Sequence, residues 1–293
     1  MDQADSLRKI IKMNKTPKPL ARVIAVTSGK GGVGKSNTSI NLAIQFKQMG
    51  HRVVILDADF GLANIEIMFG TVPKYNLADM IYRGMGIQDI INWGPAGVGF
   101  ISGGSGIVGL SNLSIEHLTY IVRSLGQLDD IADIIIVDTG AGISDAVLEF
   151  LVSSGEVLLV TTPEPTSITD SYSLLKALNQ HPQFNPELSK VKVLANRVES
   201  EKEGQALFEK FNVVVSRYLK LPIEYLGYVP QDMALAKAVM QQTPISLHNE
   251  NAKAAKAYER IAHRLLFGES AQNIPKRGVA AFFTQILAGK KNS

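Results

Sequence analysis

No cysteine occurs among the 293 residues. Disulfides, thiolate zinc sites and cysteine-held iron–sulfur clusters are therefore excluded. The chain also lacks any uninterrupted apolar run of the roughly 20 residues that a bilayer-spanning helix needs. Its first residues, Met-Asp-Gln-Ala-Asp-Ser, are polar and do not form the hydrophobic core of a secretory signal. These absences set the expectation of a cytoplasmic location. A further shortage is local. Residues 276–293 carry Lys276, Arg277, Lys290 and Lys291 and no acid, a net of +4. Residues 1–19 set five basic residues against Asp2 and Asp5, a net of +3. The whole chain carries +3, so residues 20–275 carry −4. Such a protein presents its anion-seeking surface at its ends. In length it fits one large or two ordinary domains, and its 45% hydrophobic and 19% charged content is an ordinary globular balance.

The most informative stretch runs from Arg22 to Met49. Val23, Ile24, Ala25 and Val26 form a short apolar run of the kind buried in a parallel sheet. Gly29 to Ser36 then reads Gly-Lys-Gly-Gly-Val-Gly-Lys-Ser, the phosphate-loop pattern Gly-x-x-x-x-Gly-Lys-Ser/Thr. A helix-like run follows from Asn37 to Met49, with Ile40, Ala43, Ile44 and Met49 on or near one face. Gly29, Gly31, Gly32 and Gly34 let the backbone curl, some of them at positive φ. Successive N–H groups then converge on an anion, helped by the positive end of the helix beginning near Lys35. In this pattern Lys35 reaches the β- and γ-phosphates and the Ser36 hydroxyl ligates Mg²⁺. Lys30 is an addition that an ordinary phosphate loop does not need. Local chemistry leaves it open whether it is a solvated surface lysine or a functional one.

From Arg22 onward, strand and helix patterns alternate, which predicts an α/β fold with a mostly parallel sheet and helices on both faces. Arg52 to Asp57 is a second strand, and Asp57 and Asp59 stand at its carboxyl end. Two such carboxylates hold Mg²⁺ through water or orient an attacking water, or else cap the next helix. Val98 to Ile101 reads as a short strand, and the Gly/Ser-rich run after it as a turn. Ile134 to Val137 followed by Asp138 is the apolar run ending in an acid that orients Mg²⁺, the Walker B pattern. Val157 to Thr161 is another buried strand, and Pro163 to Asp170 opens a helix. Val191 to Arg197 ends a later strand in Asn196, whose amide can donate to and accept from a purine edge. Tyr225 to Asp232 holds a last strand and its loop. Ala252 to Phe267 is an amphipathic helix. A final stripe places Val279, Phe282, Phe283, Ile286 and Leu287 at i, i+3, i+4, i+7 and i+8, bracketed by basic residues. That pattern fits an interfacial membrane helix or a helix packed on the body.

The run Lys30 to Ser36, the acids Asp57 and Asp59, and the Walker B strand resemble the deviant phosphate loop, first switch and second switch of the MinD/ParA ATPases. The resemblance spans about residues 22–267. One departure is the lack of a proline near Thr139 or Gly140, where MinD-type sequences often have one. Two branches of the group, the nitrogenase iron protein and the iron–sulfur carrier ATPases, need cluster-ligating cysteines that this chain does not have. At the N-terminus, Asp-Gln-Ala-x-x-Leu-Arg is similar to the activator motif of the flagellar FlhG (YlxH) branch.

The resemblance implies slow, Mg²⁺-dependent hydrolysis of ATP to ADP. It gives Asp59 the catalytic water, with Lys35 and Lys30 on the phosphates, and places Mg²⁺ beside Ser36, Asp57 and Asp138. Nucleotide contacts would come from Gly29, Lys30, Gly31, Gly32, Val33, Gly34, Lys35, Ser36 and Asn37, and around the base from Asn196, Arg197, Pro230 and Asp232. It further implies an ATP-dependent homodimer in which Lys30 crosses to the partner's nucleotide and Asn64, Glu164 and Asp170 lie at the interface. Residues 1–21 become an activator segment and linker in which Asp2, Gln3, Leu7 and Arg8 engage FlhF, a GTPase of the signal-recognition-particle type. Residues 22–267 form the ATPase domain, 268–275 a linker, and 276–293 a helix that binds an anionic membrane. Flagellar basal-body or C-ring components are implied partners, and nucleic acid is not. The rival readings are a cell-division MinD, a DNA-partition ParA, which the acidic body disfavours, and a non-hydrolysing scaffold.

Overall fold

The computed structural model describes residues 20–59, 64–103, 120, 124–268, 278–279 and 281–282. In chain order the elements are β1 (Arg22–Thr27), α1 (Lys35–Gln48), β2 (Val53–Ala58), α2 (Asn64–Phe69), α3 (Leu77–Arg83), α4 (Ile87–Ile90), β3 (Asn92–Trp93) and β4 (Gly99–Ile101). They continue with α5 (Leu128–Ile131), β5 (Ile134–Thr139), α6 (Asp145–Ser153), β6 (Glu156–Thr161), α7 (Pro165–Gln180), β7 (Lys190–Val198), α8 (Glu201–Leu219), β8 (Ile223–Pro230), α9 (Met233–Met240), α10 (Ile245–His248) and α11 (Lys253–Phe267).

The strands form one sheet in the order β3-β4-β2-β5-β1-β6-β7-β8. All neighbours are parallel except the short edge pair β3–β4. The central strands are apolar at nearly every position because both faces are covered. Alternation sends Ala25, Leu56, Val137 and Leu159 to one side, against α3, α4, α6 and α7. It sends Ile24, Val26, Ile55, Ile136 and Leu158 to the other, against α1 and α11. This is the doubly covered parallel sheet that the strand–helix alternation predicts.

The carboxyl ends of β1, β2 and β5 carry Thr27, Asp57 and Asp138 to the same edge of the sheet, where the loop from Ser28 to Gly34 turns into α1. At the opposite edge, the first turns of three adjacent strands hold a buried ion network. Arg22 on β1 forms a two-pronged pair with Glu156 on β6, its Nη2 donating to Oε2 at 2.8 Å. Lys192 on β7 donates to the same Oε2 at 2.8 Å. Glu156 and Lys192 are only 1% and 2% exposed, so both cations depend on a single carboxylate.

The start of the final amphipathic stripe is docked on the body. Val279 and Phe282 are buried within the core cluster that holds Leu125, Leu128 and Phe150. Phe282 stacks on Phe150 with ring centroids 6.0 Å apart. Two of the five stripe residues thus serve as core. Phe283, Ile286 and Leu287 lie outside the described residues, as do Asp2, Gln3, Leu7 and Arg8. Among the described residues no helix is long and apolar enough to cross a membrane.

The ion network generates the first prediction. Glu156→Gln leaves two buried cations without their counter-charge and should lower unfolding stability by about 3–5 kcal/mol. Urea unfolding measures this, and replacing all three charges with apolar residues of similar volume should recover most of the loss.

Candidate nucleotide site

The loop between β1 and α1 has the conformation its glycines allow. Gly32 and Gly34 lie at φ 76 and 102°, in the left-handed region. Gly34 precedes α1 without a side-chain cap, and no acid occupies the helix's first turn. The helix start therefore keeps free N–H groups and an unopposed positive end. Gly29 answers a different need. A Cβ there would sit 2.1 Å from the carbonyl carbon of Asp170, so the loop packs directly on the backbone of α7.

Three further contacts fasten the loop. Asn196, at the end of β7, donates from Nδ2 to the Val33 carbonyl at 2.7 Å. Arg197, at φ 58°, turns back so that its Nη2 donates to the Gly32 carbonyl at 2.8 Å. Lys30 is paired with residues outside the loop. Its Nζ donates to Glu164 Oε2 and Thr166 Oγ1, both at 2.9 Å, and this pairing holds the Glu164 carboxyl below the usual range.

Beneath the loop, charged groups crowd together. Lys35 is 9% exposed, and burial lowers its pKa against the pull of Asp138 and Asp59. Asp138 is 1% exposed. Its Oδ1 accepts from Ser39 Oγ at 2.8 Å and its Oδ2 has no partner. Burial pushes Asp138 up to about 6, opposed by the Ser36 and Ser39 hydroxyls and Lys35. Asp57 is pushed up to about 8, first by burial and then by repulsion from Asp138. It accepts the N–H groups of Asp59 at 3.1 Å and Ile65, in α2, at 3.4 Å. Asp59 is half-buried, with its carboxylate 3.9 Å from where a Cβ on Gly140 would lie. Gly142 N–H donates to the Ser28 carbonyl, so the loop after β5 is tied to the phosphate loop.

These residues fit Mg²⁺ and a nucleotide. An orphaned buried carboxylate oxygen, two acids pushed toward their neutral forms and a lysine pushed toward its own are relieved together by a dication and a polyphosphate. Among the described residues no cluster of three His, Cys, Asp or Glu side chains forms a protein-only metal site. Mg²⁺ held near Ser36, Asp57 and Asp138 would draw its remaining ligands from phosphate and water.

The structure brings Gly29 to Ser36, Asp57, Asp59, Asp138, Asn196 and Arg197 to one edge of the sheet. Asn37 and Asn64 open α1 and α2 beside them. Glu164 caps α7 next to Lys30, and Asp170 is the α7 residue against Gly29. The base-side assignments differ in detail. The amide of Asn196 is committed to the loop, leaving only its buried Oδ1 without a partner. Both oxygens of Asp232, which follows Pro230, accept backbone N–H groups, from Ala234 and Ala254. Asp232 thus joins α9 to α11 through its two oxygens. Ser39, four residues beyond Lys35, is a site residue that the motif does not mark. Its only sequence signal is its place one helical turn on from the loop.

A parallel sheet with a phosphate loop after its first strand, two acids at the next strand end and a Walker B acid defines a P-loop NTPase. The family model described as "ParA: NUBPL iron-transfer P-loop NTPase" matches residues 19–266. The antiactivator FleN of Pseudomonas aeruginosa is 40% identical over 244 residues, 83% of this chain and 86% of FleN. The flagellum site-determining protein YlxH of Helicobacter pylori is 35% identical over 270 residues, 91% and 90% of the two chains. The septum site-determining protein MinD of Pyrococcus horikoshii, solved with Mg-ADP, superposes with a TM-score of 0.65 at 21% identity, covering 84% of this chain and 96% of that one. The chain belongs to the ParA/MinD family of P-loop NTPases.

The raised Asp57 pKa gives the second prediction. Its folded value of about 8 lies above the ordinary 3.8, so the protonated carboxyl favours the folded nucleotide-free chain. That contribution is complete below about pH 4 and is lost as pH rises through about 8. Between pH 5 and 8.5 the metal-free chain should lose on the order of 1 kcal/mol or more, and Asp57→Asn should remove most of the slope. Denaturant titrations at the two pH values measure both.

Proposed function

We propose that this chain is an ATP-driven dimerisation and membrane-association switch acting on flagellum number and placement. The relative YlxH, a flagellum site-determining protein, supports the setting. The observation that carries the switch is the outward lysine. Lys30 belongs to the phosphate loop yet pairs outside it with Glu164 and Thr166, with its side chain 38% exposed. A loop lysine that its own nucleotide pocket does not use is free to serve a second copy's nucleotide once the Glu164 contact breaks. In the reaction, Lys35 neutralises charge on the phosphates, the loop N–H groups orient them, and Asp59 positions the attacking water. When bound, Mg²⁺ would supply charge neutralisation at the β- and γ-phosphates beside Ser36 and Asp138.

Membrane association on this reading requires the C-terminal segment to leave its seat. Reburying Val279 and Phe282 in the body recovers at most roughly 1.5–3 kcal/mol for each side chain. An apolar stripe with basic flanks gains a comparable amount from an anionic bilayer, at about 1 kcal/mol per basic residue. One copy is thus near balance. Two copies on an ATP-held dimer act bivalently, and the surface is favoured by about 10²-fold or more.

With ATP and Mg²⁺, light scattering should show the mass doubling, and sedimentation should move the protein onto phosphatidylglycerol vesicles. Asp59→Ala should keep both behaviours while turnover falls by roughly 10²-fold or more. Lys30→Ala should lose the dimer and the vesicle pellet together, with the monomer still folded. A mass that ATP does not change would overturn the switch.

The N-terminal segment is proposed to stimulate GTP hydrolysis by FlhF, on the strength of its Asp2, Gln3, Leu7 and Arg8 motif. A peptide of residues 1–20 should raise that GTPase rate, and an unchanged rate would remove this role while leaving the ATP switch standing.

A further inference from the structure

The two basic ends of the chain enter the body at one side chain. Asp129, in the first turn of α5, accepts the N–H of Ala21 on Oδ1 at 2.9 Å. The same carboxylate accepts the N–H of Val279 at 3.1 and 3.2 Å on its two oxygens. Ala21 is the last residue before β1, and Val279 is the first apolar residue of the C-terminal stripe. Both are buried in the same core cluster. Between them lies Gly278, at φ 72°, where a Cβ would stand 2.8 Å from both Leu20 Cδ2 and Asp129 Oδ2. Leu20, Asp129 and Gly278 are therefore in mutual contact, and the left-handed backbone at Gly278 turns the Val279 N–H onto the carboxylate.

We propose that the backbone at Leu20 and Ala21 and the segment opened by Gly278 and Val279 form one coupled unit, pinned together at Asp129, so that drawing either away from the body loosens the other. The physical reason is shared support. When the segment at Val279 leaves, Asp129 loses one of its two backbone donors among the described residues, and the buried Ala21 loses part of the seat around it. When the N-terminal segment is pulled away, Asp129 and Gly278 lose the neighbours that define the Val279 hydrogen bond. Linkage makes the effect reciprocal, because a free-energy coupling between two equilibria has one value from either side. The coupling is a property of the fold and holds whatever the two ends bind.

Hydrogen exchange on the full-length, nucleotide-free chain tests it, with no lipid or GTPase present. Gly278→Ala adds one methyl group at the shared contact. It should speed exchange at both the Ala21 and Val279 amides by about five- to tenfold, the effect of weakening rather than removing one hydrogen bond at each. Protection of β5 should be unchanged. Asp129→Ala should do the same more strongly, and Asp129→Asn, which keeps one acceptor oxygen, less. Faster exchange at residues 279–282 with Ala21 at its original rate would show two independent ends and overturn the proposal. If Gly278→Ala also strips protection from β5, the Asp129→Asn chain decides. A rise at both amides supports the coupling, and a rise at one alone refutes it.

Discussion

The functional edge of the molecule depends on how closely the backbone of residues 29–34 is approached by its neighbours. α7 touches Gly29 where a Cβ would be 2.1 Å from backbone, and Asn196 touches Gly34 where a Cβ would be 2.4 Å from its amide nitrogen. Two carbonyls of the loop are tied down by Asn196 and Arg197. The loop is thus held from the β6–α7 side and the β7 side at once, and its free N–H groups are aimed before any ligand arrives. Such preorganisation is what lets backbone dipoles act on a polyphosphate without first being reordered. It also means that a shift in the loop cannot remain local, because α7 and the end of β7 are in contact with it.

Much of this was legible from residues alone. Strands β1, β2, β5, β6 and β7 are runs of β-branched and aliphatic residues, and in the first three a polar site residue marks the end. The loop's glycines and lysines have fixed spacing because the backbone geometry demands it. What stayed hidden has a common physical cause: the signal lies in what a side chain meets, not in what it is. Asn196 could serve a base or a loop, and only proximity shows that its amide holds Val33. Nothing in the sequence shows that the oxygens of Asp232 also accept from the first turns of two helices. Arg22, Glu156 and Lys192 are far apart in sequence and look like ordinary surface charges. The stripe beginning at Val279 declares an apolar face without saying whether lipid or protein covers it. α8, the longest helix among the described residues, carries no motif, and its place is set by packing on β7 and β8.

The family and the absence of cysteine jointly narrow the chemistry. The matching family model is described by iron transfer, yet this chain has no thiolate with which to hold a cluster. Within a shared fold, function is carried by what is attached to it. Here the phosphate edge carries the motifs on which the family match rests. The distinguishing parts are the basic ends and the acidic body between them.

The ion network at the far edge of the sheet has a consequence for how the chain finds this fold. Glu156 pairs opposite Ile24 of β1, and Lys192 pairs opposite Leu158 of β6. Side chains alternate between faces, so a slip of β6 by one residue would carry Glu156 to the other side of the sheet. Arg22 and Lys192 would then be buried together with no anion between them. The central strands are so uniformly apolar that burial alone scarcely distinguishes one alignment from the next. The three charges supply that distinction, and they penalise misaligned sheets more than they strengthen the correct one.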